Sequence, residues 1–170
     1  MTTLQTIQEP NYPLRDRSLS VKPKNDNFLY LKDLCDTMRD TMRFLDGIGI
    51  AAPQIGESKR IFLIETSLFP DIAIPSDVFI NPKILKRSFK QTSGEEGCLS
   101  VKGMYGTVKR AKTVTLEAYD INGEKFKLKA SDLLARVFQH ETDHLEGILY
   151  IDKALPSSLH IYIKSEEYDK

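Results

Sequence analysis

Only two cysteines, Cys35 and Cys98, occur in 170 residues. That is too few for a disulfide framework, so a reducing compartment and a chemical role for at least one thiol are expected. Net charge is missing as well: 24 Lys and Arg stand against 24 Asp and Glu. No global field exists to recruit nucleic acid or an anionic membrane surface, and neither is expected as a direct partner. No apolar run reaches the roughly 18 residues of a membrane span, and the opening MTTLQTIQEP is not a basic start followed by an apolar stretch. A cytoplasmic protein without an export signal is expected. Repeats, low-complexity tracts and Pro/Gly/Ser-rich linkers are absent too, so residues 1–170 should form one domain, long enough to bury about 70% of its unfolded surface.

What is present divides into an arm, two helices and several strands. Residues 1–24, with Pro10, Pro13 and Pro23, suit an extended arm laid over the domain, and residues 156–170 form a C-terminal tail. From residue 27 to 46, Leu31, Leu34, Cys35, Met38, Met42 and Leu45 repeat at the spacing of one helical face, with Gly47 as the natural stop. Cys35 lies in that stripe and reads as core. KRIFLIE (59–65) suits a buried strand, and DVFINPKIL (77–85) a second one interrupted at Pro82. In TVTLEAYDINGEKFKLKA, Val114, Leu116 and Ala118 alternate, Asn122-Gly123 offers a tight turn, and Phe126 and Leu128 alternate again: a β-hairpin. Ser131 can cap a second helix that runs through DLLARVFQHETDHLE to Gly147. The fold expected is α+β, with mixed or antiparallel sheets wrapped around that helix.

Three stretches carry chemistry. In QHETDHLEG, His140 and His144 sit four apart, so their imidazoles project from one helical face and can converge on one cation. Leu133 and Val137 continue that stripe, and two imidazoles at the end of an apolar face need a reason. Glu141 is turned about 100° aside, where a carboxylate reaches water without ligating. HExxH alone also arises by chance in polar helices, so a third ligand has to decide. GEEGCLSVKG offers Cys98, next to Gly97, whose lack of a side chain permits close approach; an inert buried cysteine is the plain alternative. GIGIAAPQIG (47–56) is a small-residue loop without GxGxxG or GxxxxGK[ST], which disfavours phosphate; it could pair closely with a peptide backbone, with Gln54 as a neutral amide donor, or be an ordinary helix end.

GIGIAAPQ, EGCLS and HETDH, in this order and at these separations, together resemble the signature of the peptide deformylases, and the likeness runs from about Leu14-Arg15 to Asp152. The resemblance implies that Cys98, His140 and His144 hold one divalent ion with water in the fourth position. Fe²⁺ is the native metal it implies, with Zn²⁺, Ni²⁺ or Co²⁺ in preparations. It implies hydrolysis of the formyl group from the N-formylmethionine of nascent polypeptides, near the ribosome exit, with release of formate. Glu141 would be the general base, and the Leu99 N–H and the Gln54 amide would face the developing oxyanion. The backbone of Ile48 and Gly49 would pair with the peptide beside Gly97, Leu133 and Val137 would line the methionine pocket, and Glu96 with Arg110 would support the cysteine strand. Lys102 stands where proline is common, Tyr105 near a frequent arginine, and Ile50 for leucine. Two alternatives remain open at this stage: a zinc metallopeptidase, which HExxH alone permits, and a weakly active or non-catalytic paralogue that binds chain N-termini.

Overall fold

A computed structural model describes residues 3–22 and 28–162. Helix α1, Phe28–Phe44, buries Leu31, Leu34, Cys35, Met38 and Met42, the stripe expected from periodicity, and adds Thr41. Residue 27, the expected start, lies outside the described residues. Leu45 falls beyond the helix and stays exposed. The stop is not Gly47 but Asp46, at φ +52°, where a short polar side chain tolerates the left-handed region. Gly47 is needed for a different reason: a Cβ there would meet Leu99 Cδ1 at 2.9 Å.

Beyond α1 the segment read as a loop is a short strand, β1 (Gly49–Ala51), followed by a 3₁₀ turn over Ala52–Ile55. Strand β2 is Ile61–Ile64 and β3 is Val78–Arg87. Pro82 does not end β3. The strand continues through a register shift between Ile80 and Lys83, with Asn81 at φ +49°, so the proline sits in a bulge, where a missing N–H costs no ladder bond. Strands β4 (Gln91–Cys98) and β5 (Val101–Ala111) form one antiparallel hairpin, β6 (Thr113–Tyr119) and β7 (Lys125–Ser131) another. The second hairpin has the expected alternation, but its turn is longer than a two-residue Asn-Gly turn. Only Gly123 has positive φ, and the Asp120 carboxylate accepts from the N–H groups of Asn122 and Glu124.

Helix α2, Asp132–His144, ends two residues earlier than expected. Ser131 makes no side-chain cap; instead Asp132 turns the chain at φ +53° and donates its N–H to the Lys112 carbonyl. Gly147, at φ +73°, does close the helix end, and a Cβ there would strike the Arg15 carbonyl oxygen of the arm at 2.4 Å.

The strands order as β1-β2-β3-β6-β7 and β4-β5-β8, where β8 is His160–Ile161, and every strand pair is antiparallel. All four residues of β2 are buried because the larger sheet is covered on both faces. Ile61 and Leu63 pack with α1, while Phe62 and Ile64 pack with Phe79, Leu134 and Phe138 of the α2 side. Phe62 stacks on Phe79 at 4.7 Å between centroids, and Phe79 meets Phe138 at 5.1 Å. Helix α2 touches strands of both sheets and is buried nearly all round, from Leu134 to His144. This is the wrapped helix expected from the sequence, and it explains why polar HETDH lies in the interior: the helix has no solvated face to put it on.

Candidate metal centre

The α-helical repeat places His140 and His144 one above the other, with ring centroids 5.0 Å apart. The third group arrives from β4. Its pairing with β5 slips between Gly97 and Cys98, from Gly97↔Tyr105 to Cys98↔Val101, and the slip brings the cysteine to the imidazoles. Cys98 Sγ lies 3.3 Å from His144 Nε2, and one ligand atom from each of Cys98, His140 and His144 lies within 4.8 Å of the others. Gly97 is small because a Cβ would meet the Tyr105 ring at 2.6 Å.

Glu141 is 4% exposed and its Oε2 is buried without a hydrogen-bond partner among the described residues, as is His144 Nδ1. Burial pushes the Glu141 carboxyl up to about 7. It lies against β1: a Cβ on Gly49 would come within 2.5 Å of Glu141 Oε1. Gln54 is held on both ends of its amide. Oε1 accepts from the Ala51 N–H at 2.8 Å, which aims Nε2 at Cys98 Sγ (3.4 Å) and Ser100 Oγ (3.2 Å).

Behind the ligands stands a buried ionic cluster of which the sequence indicated only the Glu96–Arg110 pair. Arg110 donates to both Glu96 oxygens at 2.9 and 2.8 Å, Arg136 donates to Oε1 at 2.7 Å, and His140 Nδ1 is 2.9 Å from Oε2. Arg110 also donates to Asp143, whose two carboxylate oxygens both accept from Lys153 at 2.6 to 2.7 Å. Burial opposes charge on Glu96, but the hydrogen bonds from Arg110 and His140 outweigh it and hold this carboxyl far below the usual range. A carboxylate on one imidazole nitrogen turns the other toward a ligand position. Arg136 and Asp143 escaped the sequence reading, although an arginine inside an apolar stripe and an aspartate on a core helix both signal a buried partner. Glu96→Ala removes the buried carboxylate that two guanidinium groups share, and the expected loss is about 3 kcal/mol, measured as a lower urea midpoint at unchanged m.

Gln54, Glu96, Cys98, Arg136, His140 and Glu141 line a cleft of about 770 Å³. Val137 is buried in its wall and Leu133, half exposed, stands at its mouth. Tyr105, beside His160 and Tyr162, and Lys102 line the far side, next to Gly97 and Leu99. Two sheet edges border the cleft, β1 of the larger sheet and β4 of the smaller one. Ile48 and Gly49 are not equivalent on that edge. The Ile48 carbonyl accepts from the Glu65 N–H at 2.8 Å, so alternation directs the polar groups of Gly49 outward.

The donor set fits a divalent ion: a soft thiolate and two imidazoles within reach of one point, with a fourth direction free of protein ligands among the described residues. A structural site would close that direction with a fourth ligand. A carboxylate beside the ligands and outside their set is the mark of hydrolases that activate water. A family model of polypeptide deformylases matches residues 1–159. The peptide deformylase of Syntrophomonas wolfei is 47% identical over 159 residues, 94% of this chain and 98% of that one. Peptide deformylase 1B of Arabidopsis thaliana, chloroplastic/mitochondrial, is 40% identical over 152 residues, 89% of this chain and 54% of the other. The actinonin-bound class I type b peptide deformylase from Acinetobacter baumannii matches with a TM-score of 0.80 at 35% identity, covering 91% of this chain and all of that one (100%). This chain belongs to the peptide deformylase family. All three are named peptide deformylases, and none supports the metallopeptidase or the non-catalytic alternative.

Proposed function

We propose that the chain removes the formyl group from the N-formylmethionine of nascent polypeptides, working in the cytoplasm near the ribosome exit, with Fe²⁺ held by Cys98, His140 and His144. When bound, the ion supplies Lewis acidity, which lowers the pKa of water and polarises the formyl carbonyl. The observation that carries the reading is Glu141, buried, unpartnered at Oε2 and adjacent to the ligand set without belonging to it.

The chain's own residues divide the work. Glu141 accepts a proton from the attacking water and delivers it to the amine nitrogen as the C–N bond breaks, leaving formate and a free N-terminus. The Leu99 N–H and Gln54 Nε2 donate to the formyl oxygen as negative charge builds on it. The extended substrate lies between the two strand edges, pairing with Gly49 on one side and running past Gly97 on the other, while Ile48 contributes its place at the rim. Val137 and Leu133 give the methionine side chain an apolar wall.

Formate release from a formyl-Met peptide, with unformylated peptide as control and protein purified without oxygen, tests the reaction. Cleavage of a peptide bond without formate would overturn it. Loss of activity in air, restored by Fe²⁺, tests the metal. Gln54→Ala should lower kcat by up to about 10²-fold, less than loss of the base, because the Leu99 N–H still faces the oxyanion. An unchanged kcat would remove Gln54 from the mechanism.

A further inference from the structure

The N-terminal arm does more than cover the core. Ile7 donates its N–H to the Gln54 carbonyl at 2.8 Å, and Glu9 donates to the Ser100 carbonyl at 2.9 Å. Both contacts are on residues beside the ligand set, and neither depends on a side chain. Two side chains of the arm add a grip on the turn between β4 and β5. Gln8 Nε2 donates to the Leu99 carbonyl at 2.9 Å and Thr6 Oγ1 donates to the same oxygen at 3.1 Å. Gln8 Oε1 accepts the Lys102 N–H at 3.3 Å, so one side-chain amide spans both ends of the turn. Thr6 Oγ1 also accepts from Gln8 Nε2 at 2.9 Å, which joins the two residues into one unit.

The peptide they hold has a particular place. Its oxygen is the Leu99 carbonyl, and its N–H, that of Ser100, points to Cys98 Sγ at 3.4 Å. A peptide unit is planar, so fixing its oxygen fixes where its N–H points. The neighbouring peptide, between Cys98 and Leu99, carries the Leu99 N–H that faces the oxyanion in the reading above. The turn lies where the hairpin's register slips, between the pairs Gly97↔Tyr105 and Cys98↔Val101. We infer that Gln8 and Thr6 are positioning residues that lock the Leu99–Ser100 peptide, and through it set both the N–H···S bond on Cys98 and the direction of the Leu99 N–H.

The kinetic half of this inference rests on the proposed deformylase reaction; the half that concerns the sulfur does not. An N–H···S bond draws electron density from a thiolate and raises the energy of sulfur-to-metal charge transfer. In protein loaded with Co²⁺, Gln8→Met and Thr6→Val should therefore move the sulfur-to-cobalt absorption band to longer wavelength, and Thr6→Ser, which keeps the hydroxyl, should move it back. With formyl-Met peptide, the first two variants should lower kcat about 3- to 10-fold with KM within about twofold, since the contact acts on the transition state and not on peptide binding. Thermal unfolding of each variant identifies any that is not folded, and the Thr6 pair stands if Gln8→Met is lost. If the folded variants keep the wild-type band and kcat and change only Tm, the arm is a structural clasp and the inference is overturned. If the unmodified protein releases no formate, the proposed reaction falls, and the cobalt band still decides whether the arm sets the sulfur.

Discussion

Glu141→Gln is expected to retain the metal and to lose roughly 10²- to 10⁴-fold in turnover of formyl-Met peptide, the range that positioned acid–base groups contribute. The substitution preserves the shape that fits against Gly49, where the carboxylate lies within the space of a missing Cβ. It also leaves Cys98, His140 and His144 untouched, so metal content should stay at the unmodified level. What changes is one atom's ability to take a proton. The amide cannot accept the water's proton or hand it to the amine, and the neighbouring buried carboxylate, Glu96, is committed to Arg110, Arg136 and His140. KM should change little, because peptide pairing is assigned to the strand edges. Metal analysis and steady-state kinetics on one preparation decide the matter. A variant with full metal and unmodified kcat would place proton transfer elsewhere.

The two cysteines give the second large effect. Cys98→Ala should lower metal affinity by more than about 100-fold, since a three-ligand set then has only two imidazoles. Cys35→Ala should leave metal content unchanged. The difference is one of location, not of residue type. Cys35 is 1% exposed inside the α1 core, and burial pushes its thiol up to about 12, so almost no thiolate exists at neutral pH. Cys98 stands at the cleft beside His144. Alkylation of the metal-free protein near pH 8 should modify Cys98 and spare Cys35. Equal metal loss from both alanine variants would show the assignment of ligand and core to be mistaken.

Much of this was legible in the residues. The spacing of His140 and His144 follows from helical geometry alone, and the apolar stripe of α1 and the alternation of β6 and β7 follow from the periods of helix and strand. The conjunction of GIGIAAPQ, EGCLS and HETDH is specific enough to indicate the family by itself. Local conformation was less legible. Asp46, Asn81 and Asp132 take positive φ at places where glycine, a strand break and a serine cap were expected. At two of them the partner is distant in sequence, the Val21 backbone for the Asn81 side chain and the Lys112 carbonyl for the Asp132 N–H, and local propensity does not register such contacts.

The sequence by itself determined which atoms can ligate, which carboxylate stands beside them and which helix carries them, because these depend on residue type and on the short-range geometry of one helix. Only the tertiary structure decided how those atoms are held. It brought Cys98 to the histidines through a register slip in a hairpin, and it closed Glu96 between two arginines and His140. It also laid Thr6 and Gln8 of the arm across the turn at Leu99, more than 90 residues away in sequence. The physical reason is the range of the interactions. A buried carboxylate or carbonyl must find its partners wherever the fold supplies them, and that choice is made between segments far apart along the chain.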